Sequence, residues 1–289
     1  MRKLFVKLFF AIIGVTSLSS CNTYYYQVFS VETNGAQQVD NSLVFENEDC
    51  KVCYNLWSNN GKVNFAFFNK TDKDIFINLG QTFFIKNGFA IDYYQGRTYS
   101  TQRNTLTSNS FTIASAASNG IGIWSKNIYM EDASVLGLAK TTKSVNSSSY
   151  AITTEEKEIV CVPAKCYKTF AYYEASPSQV ITCNNDKDYP TNIANVAEYN
   201  QSNTPLTITN RIAYGFQKDD VAEKHIENTF WISSIKNYSQ NAATEKVIIK
   251  DECDQRKSNN TNTFSIQQKI NQFKIGGPDK FYIFYTKSL

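Results

Sequence analysis

Cys50-Lys51-Val52-Cys53 has the spacing at which one thiol can depress the pKa of its neighbour and cycle through a disulfide. That chemistry needs a helix N-terminus. Here Val52, Tyr54 and Leu56 alternate as in a strand, so the pair reads as two structural thiols. Zinc would need a second such pair or added histidines, and the chain has one histidine, His225. It lies in Glu223-Lys224-His225-Ile226-Glu227, a charged run that fits the solvated face of a helix, and any Ser-His-Asp relay would have to use it. No Gly-x-Ser-x-Gly elbow, phosphate loop or dinucleotide fingerprint occurs. Carboxylates cluster at Glu155, Glu156 and Glu158, before a strand, and at Asp251, Glu252 and Asp254, after one. A glycosidase needs two carboxyls held roughly 5–10 Å apart in a cleft, whereas solvated strand ends account for these. Asn184-Asn185-Asp186-Lys187-Asp188 offers oxygen ligands at calcium-like spacing but lacks the loop glycine and terminal glutamate. The residue types argue against an enzyme and call for no metal and no cofactor.

One cysteine stands in a different setting. Arg2, Lys3 and Lys7 form a charged start, Leu8 to Val15 is almost wholly apolar, and Leu18-Ser19-Ser20 supplies the small residues of a cleavage site. The apolar run falls short of the roughly 18–20 residues that cross a hydrocarbon core. Residues 1–20 therefore read as a signal peptide. Leu18-Ser19-Ser20-Cys21 resembles the bacterial lipobox, which implies that Cys21 is acylated on its thiol and becomes the mature N-terminus. The expected membrane contact is through that lipid. Arg2, Lys3 and Lys7 also account for the whole excess of 29 Lys and Arg over 26 Asp and Glu, so residues 21–289 carry no formal net charge. A neutral chain lacks the basic footprint of a nucleic-acid binder, and none is expected.

The elements that must position these residues read as mainly β. Eighteen Tyr and twenty Phe favour half-buried pleated surfaces, and abundant Asn, Ser and Thr favour turns. Val63, Phe65 and Phe67 alternate with polar or small neighbours, as do Ile75, Ile77 and Leu79 beyond a turn at residues 69–74. Asn87-Gly88 is a tight-turn signal between Phe83-Phe84-Ile85 and Phe89-Ala90-Ile91. Strand candidates resume at Ile159 to Val162 and continue through Leu206 to Ile208, Ile212 to Tyr214, Thr229 to Ile235, Val247 to Ile249 and Phe281 to Tyr285. Two stretches look helical, Ala222 to Asn228 and Ile266 to Phe273, the second with Ile266, Ile270 and Phe273 on one face. The expected organisation is a tether or first strand over 21–40 and an immunoglobulin-like β-sandwich over 41–180. A long loop-rich insertion occupies 96–150, with one or two strands around Ile121 to Trp124 and Ile128 to Met130, and a second β-rich unit with one or two short helices covers 181–289. Tyr24-Tyr25-Tyr26 reads as the start of a docked strand, with a membrane-interface role as the alternative.

Apart from Cys21 there are six cysteines, and in an oxidising compartment an even set permits disulfides. Cys161 and Cys166 flank Pro163-Ala164-Lys165 and are the best-placed pair, across a hairpin end. Trp57, Trp124 and Trp231 are the candidate sugar platforms; Trp124, in the loop-rich segment, is the one expected to be exposed.

Four stretches carry a resemblance. They are Cys21-Asn22-Thr23-Tyr24-Tyr25-Tyr26-Gln27-Val28, Tyr54-Asn55-Leu56-Trp57, Phe68-Asn69-Lys70-Thr71-Asp72 with Asn87-Gly88, and Val162-Pro163. Together they resemble a group of uncharacterised cell-envelope lipoproteins of gut Bacteroidales. The resemblance implies a lipid-anchored β-sandwich in the envelope, at the outer membrane, and brings no catalytic residue. Surface-exported lipoproteins of that phylum carry acidic residues just after the lipidated cysteine, and Asn22 to Tyr26 has none, which favours the periplasmic side. The expected function is a non-catalytic structural or protein-binding role; the alternative is carbohydrate binding through exposed aromatic rings.

Overall fold

The computed structural model describes residues 23–104, 119–124, 127–132, 149–171, 173–218, 224–249 and 268–287; the side chains of 99–154 and 248–270 lie outside that description. In chain order the strands are β1 (Tyr24–Asn34), β2 (Gln37–Val39), β3 (Ser42–Glu46), β4 (Cys50–Tyr54), β5 (Phe65–Asn69), β6 (Ile75–Asn78), β7 (Phe83–Lys86), β8 (Phe89–Asp92), β9 (Thr98–Asn104) and β10 (Asn119–Trp124). They continue with β11 (Asn127–Asp132), β12 (Ser149–Glu155), β13 (Ile159–Val162), β14 (Tyr167–Phe170), β15 (Ile193–Glu198), β16 (Thr207–Gly215), β17 (Lys224–Ser239), β18 (Thr244–Ile249), β19 (Gln268–Phe273) and β20 (Lys280–Thr286).

Two antiparallel sheets face one another as a sandwich. The larger has the path β13-β6-β16-β17-β1-β20, with β15 also on β17, β7 on β16 and β8 on β7; the smaller runs β14-β5-β4-β3-β2. Alternation decides which side chains meet between them. From the larger sheet come Phe29, Ile208, Phe230 and Ile235; from the smaller, Val52, Tyr54, Phe65 and Phe67. The Tyr54 and Phe230 rings meet edge-on at 5.0 Å between centroids. Tyr24 to Phe29 form the start of an interior strand, since β1 is hydrogen-bonded to β17 on one side and to β20 on the other.

The chain changes sheets between β5 and β6 and again between β13 and β14, and Asn69 holds both crossings. Its Nδ2 donates to Lys73 O at 2.7 Å, Val162 O at 3.0 Å and Pro163 O at 3.2 Å. Its Oδ1 accepts from the Thr71 amide at 2.9 Å and the Thr71 hydroxyl at 2.8 Å. The side chain is fully buried.

Several expectations are corrected. Residues 224–228 and 268–273 are strand and not helix. In β17, Ile226, Asn228 and Phe230 are buried in alternation, with the polar Asn228 interrupting the apolar pattern. Tyr54 explains why an asparagine is tolerated there: its hydroxyl donates to Asn228 Oδ1 at 2.9 Å. In β19 the apolar spacing matched a helix by coincidence, and Ile270 pairs with Val247 of β18. The short helices lie elsewhere, at Asn185–Asp188 and Gln240–Ala243. The larger sheet draws on both sides of residue 180, since β16 and β17 pair with β6, β7 and β1, while β18 and β19 pair with each other as a separate ribbon. In the loop-rich segment the strands expected around Ile121 to Trp124 and Ile128 to Met130 are present as β10 and β11, which pair as an antiparallel ribbon, and β9 pairs with β12 as a second one. The tight turn at Asn87-Gly88 is present, with φ of 48° and 81°, joining β7 to β8.

Gly61 sits where the loop after β4 passes under β20. Its φ is +66°, and a Cβ there would lie 2.8 Å from the Phe281 ring and 2.9 Å from the Ala175 methyl. Left-handed strain and overpacking each cost roughly 1–3 kcal/mol. Gly61→Ala is therefore expected to destabilise the fold by about 2–4 kcal/mol, read as a lowered denaturant midpoint. An unchanged midpoint would mean that Gly61 has room that the packing denies it.

Candidate functional site

The Cys50-x-x-Cys53 pair lies on β4, with both side chains essentially inaccessible. Burial pushes the Cys50 thiol up to about 12, with the neighbouring Asp49 charge adding to the effect, and pushes Cys53 to about 11. At neutral pH neither is a thiolate, so neither is a nucleophile. These thiols also tie stability to pH. Their folded pKa values lie above the unfolded value of roughly 8.5, so the native state holds their protons more tightly. The contribution is whole below about pH 8.5 and is lost as pH rises towards the folded values, at up to about 1.4 kcal/mol per pH unit for each thiol. The urea midpoint is expected to fall between about pH 8 and about pH 10, and to fall less steeply in the Cys50→Ala, Cys53→Ala double variant. Equal slopes would put these thiols in contact with water.

The thiols of Cys161 and Cys166 are free, as is that of Cys183. The expected hairpin between them does not form: β13 pairs with β6 in the larger sheet and β14 with β5 in the smaller, so the proline turn is a crossing between layers. Cys161 Sγ lies 3.7 Å from Asp74 Oδ2, and its pKa is raised by partial burial and by that carboxylate. Cys166 is exposed. Cys21 and Cys253 lie outside the described residues.

His225 is exposed on β17, opposite Ala213, on a strand edge-on to solvent rather than on a helix. Its neighbours in the charged run are engaged separately. Lys224 Nζ donates to Asp49 Oδ2 at 2.7 Å, and Tyr214 OH donates to the same oxygen at 2.9 Å. Partial burial opposes ionisation of Asp49, but the Lys224 and Tyr214 hydrogen bonds outweigh it and hold the carboxyl below its usual range. Burial in turn raises the Tyr214 phenol well above its ordinary value. An ionised carboxylate locked between a lysine and a protonated tyrosine has no proton to give and no free base to offer at neutral pH.

The first carboxylate cluster is divided in the same way. Glu156, with a side chain only 2% exposed, pairs with Arg97 at 3.1 Å. It also accepts from the Gln95 and Arg97 amides at 2.9 and 3.0 Å. This clamp fixes the base of the β9–β12 ribbon. Asp251, Glu252 and Asp254 lie outside the described residues. At the calcium-like stretch, Asn184 caps the Asn185–Asp188 helix, and Asp188 accepts from the Thr182 amide at 3.0 Å and from the Thr182 hydroxyl. Among the described residues, no group of three or more His, Cys, Asp or Glu could hold a metal ion.

Trp57 and Trp231 are buried, at 8% exposure each, and offer no platform. Trp124 ends β10, and its side chain lies outside the described residues. Trp57 instead underlies an aromatic group that the sequence did not reveal. It packs on Tyr282 and Phe273, at 5.0 and 5.1 Å between centroids, and Tyr26 meets both of those rings. This cluster lies on the face of the larger sheet away from the main core: Val28, Trp57 and Tyr282 form a separate buried set, with Tyr26, Tyr238 and Phe273 against it. Register then carries the surface outward. Tyr26 is opposite Tyr238 on β17 and Phe284 on β20, and Tyr238 is opposite Ile193 on β15. Directly opposed residues share a face, so Ile193, Tyr238, Tyr26 and Phe284 make a transverse row across four strands. Ile193 and Phe284 are half-exposed, and Tyr24, two residues before Tyr26, is 39% exposed. No signal short of the strand register could have found this row, because its members lie between 45 and 258 residues apart in sequence and only the pairing of β1, β15, β17 and β20 brings them together.

Comparison with protein-family models, with curated proteins and with solved structures finds no match to this chain. Fold and surface together define an antiparallel β protein whose two main sheets pack face to face and which presents an aromatic face at the start of its first described strand. No helix among the described residues is long and apolar enough to cross a membrane.

Proposed function

We propose that this chain is a cell-envelope lipoprotein, acylated at Cys21, whose β-sandwich has a structural or protein-binding role and no catalytic one. The observation that carries this reading is the order basic start, short apolar run, Leu18-Ser19-Ser20, Cys21, with β1 beginning three residues later. A lipid at Cys21 would hold the domain by an interior strand, so that the anchor and the sandwich act as one piece. The buried, protonated thiols and the fully engaged Asp49 and Glu156 support a non-catalytic role. Absence of acidic residues in Asn22 to Tyr26 favours the periplasmic side of the outer membrane.

Mass spectrometry of the native N-terminal peptide tests the reading. The expected product begins at Cys21 and carries the mass of a diacylglyceryl group. A peptide that begins elsewhere, or a bare Cys21, would refute the anchor.

A further inference from the structure

We propose that the aromatic row Ile193–Tyr238–Tyr26–Phe284, with Tyr24 beside it, is a membrane-facing surface that lies against the phospholipid headgroups. The inference rests on acylation of Cys21 and adds to it an orientation for the whole domain.

Geometry narrows the occupant. Tyr24 is three positions after Cys21, and an extended chain covers at most about 3.6 Å per residue, so the start of β1 stays within roughly 11 Å of the acylated residue. The bilayer surface is therefore always close to this end of the larger sheet. What that end presents is apolar and aromatic. Tyr24 is 39% exposed, Ile193 51% and Phe284 52%, and they surround the half-buried Tyr26 and Tyr238. Tyrosine rings favour the headgroup level, where the ring is apolar and the hydroxyl stays wet.

A cationic side chain flanks the row: Lys236 is opposite Val28, one step inward on the same face as Tyr26. Ammonium groups at a membrane surface are attracted to anionic headgroups. The strand alternation also resolves the two readings of Tyr24-Tyr25-Tyr26. Tyr25 turns to the other face, against Tyr189 and Tyr285, and docks the strand, leaving Tyr24 and Tyr26 on the outward face.

Hydroxyl-radical footprinting of the native chain in vesicles of phosphatidylethanolamine and phosphatidylglycerol tests the proposal. The reference is the full mature chain carrying Cys21→Ser in solution, and the N-terminal mass is measured on the same native sample. Oxidation of Tyr24, Ile193 and Phe284 is expected to fall several-fold on vesicles. Phe89, 72% exposed on β8, serves as the control and is expected to be oxidised at the same rate in both. If Cys21 is acylated and Phe284 is oxidised as fast as in solution, the membrane face is overturned and the anchor stands. If native Cys21 is bare while vesicles still protect Phe284, the anchor falls and the membrane face stands. Protection that appears without vesicles as protein concentration rises would assign the row to a second copy of the chain and overturn the proposal.

Discussion

Replacing Cys21 by serine, behind an ordinary cleavable leader, is expected to move the protein from the membrane fraction to the soluble fraction almost completely. Each buried CH₂ contributes about 0.8 kcal/mol, so one acyl chain binds only marginally whereas two or more hold a protein stably. Removing the thiol removes every chain attached through it. The remaining contacts are those of the aromatic row, and a few interfacial side chains do not match an acyl anchor. Fractionation with immunoblotting checks the result. A Cys21→Ser protein that stays with the membranes in high salt would mean that the sandwich, or a partner embedded there, provides the attachment. The leader must be changed in this test, because an uncleaved apolar run at residues 8–15 could itself retain the chain.

Asn69→Ala is expected to be the most destabilising of the single polar substitutions. The side chain is inaccessible and makes three donor and two acceptor contacts that join both sheet crossings. Alanine would remove the donor shared by the Val162, Pro163 and Lys73 carbonyls, leaving Pro163 O with the Cys166 amide at 3.1 Å and Lys73 O with the Thr71 hydroxyl at 2.9 Å, and each buried unsatisfied group costs about 1–3 kcal/mol. Partial relaxation and some access of water bring the expected loss to about 3 kcal/mol, or roughly 6–12 °C in Tm for a domain of this size. Asn69→Asp is a sharper control. It retains the acceptor for Thr71 but points a carboxylate oxygen at three carbonyls, so it is expected to be at least as damaging as alanine. A thermal melt in which Asn69→Asp matches the parent protein would show that the crossings are held by something other than this side chain.

Much of the β character was legible from residue types. The alternation in Val63 to Phe67 and Ile75 to Ile77, and the Asn87-Gly88 turn, follow from local rules: side chains alternate at period two, and only a few residues accept positive φ. The misread segments broke those rules for reasons that lie elsewhere in the chain. Asn228 is a buried polar residue at a core position of β17, and what makes it acceptable is the Tyr54 hydroxyl, 174 residues away in sequence. Without that partner in view, Ala222 to Asn228 looks like a charged helix. The proline turn between Cys161 and Cys166 reads as a hairpin until it is seen that β13 and β14 choose partners in different sheets.

The candidate surface divides along the same line. Residue order alone carries the expectation of a leader and of acylation at Cys21, and it fixes the neutral charge of residues 21–289 and the triple tyrosine that opens β1, because each is a property of neighbours along the chain. Which tyrosines face outward, and that Ile193, Tyr238 and Phe284 join them, was decided only by tertiary structure. The row exists because β15, β17, β1 and β20 lie side by side in one register, and a slip of one residue in any of these pairings would turn that strand's side chains to the opposite face.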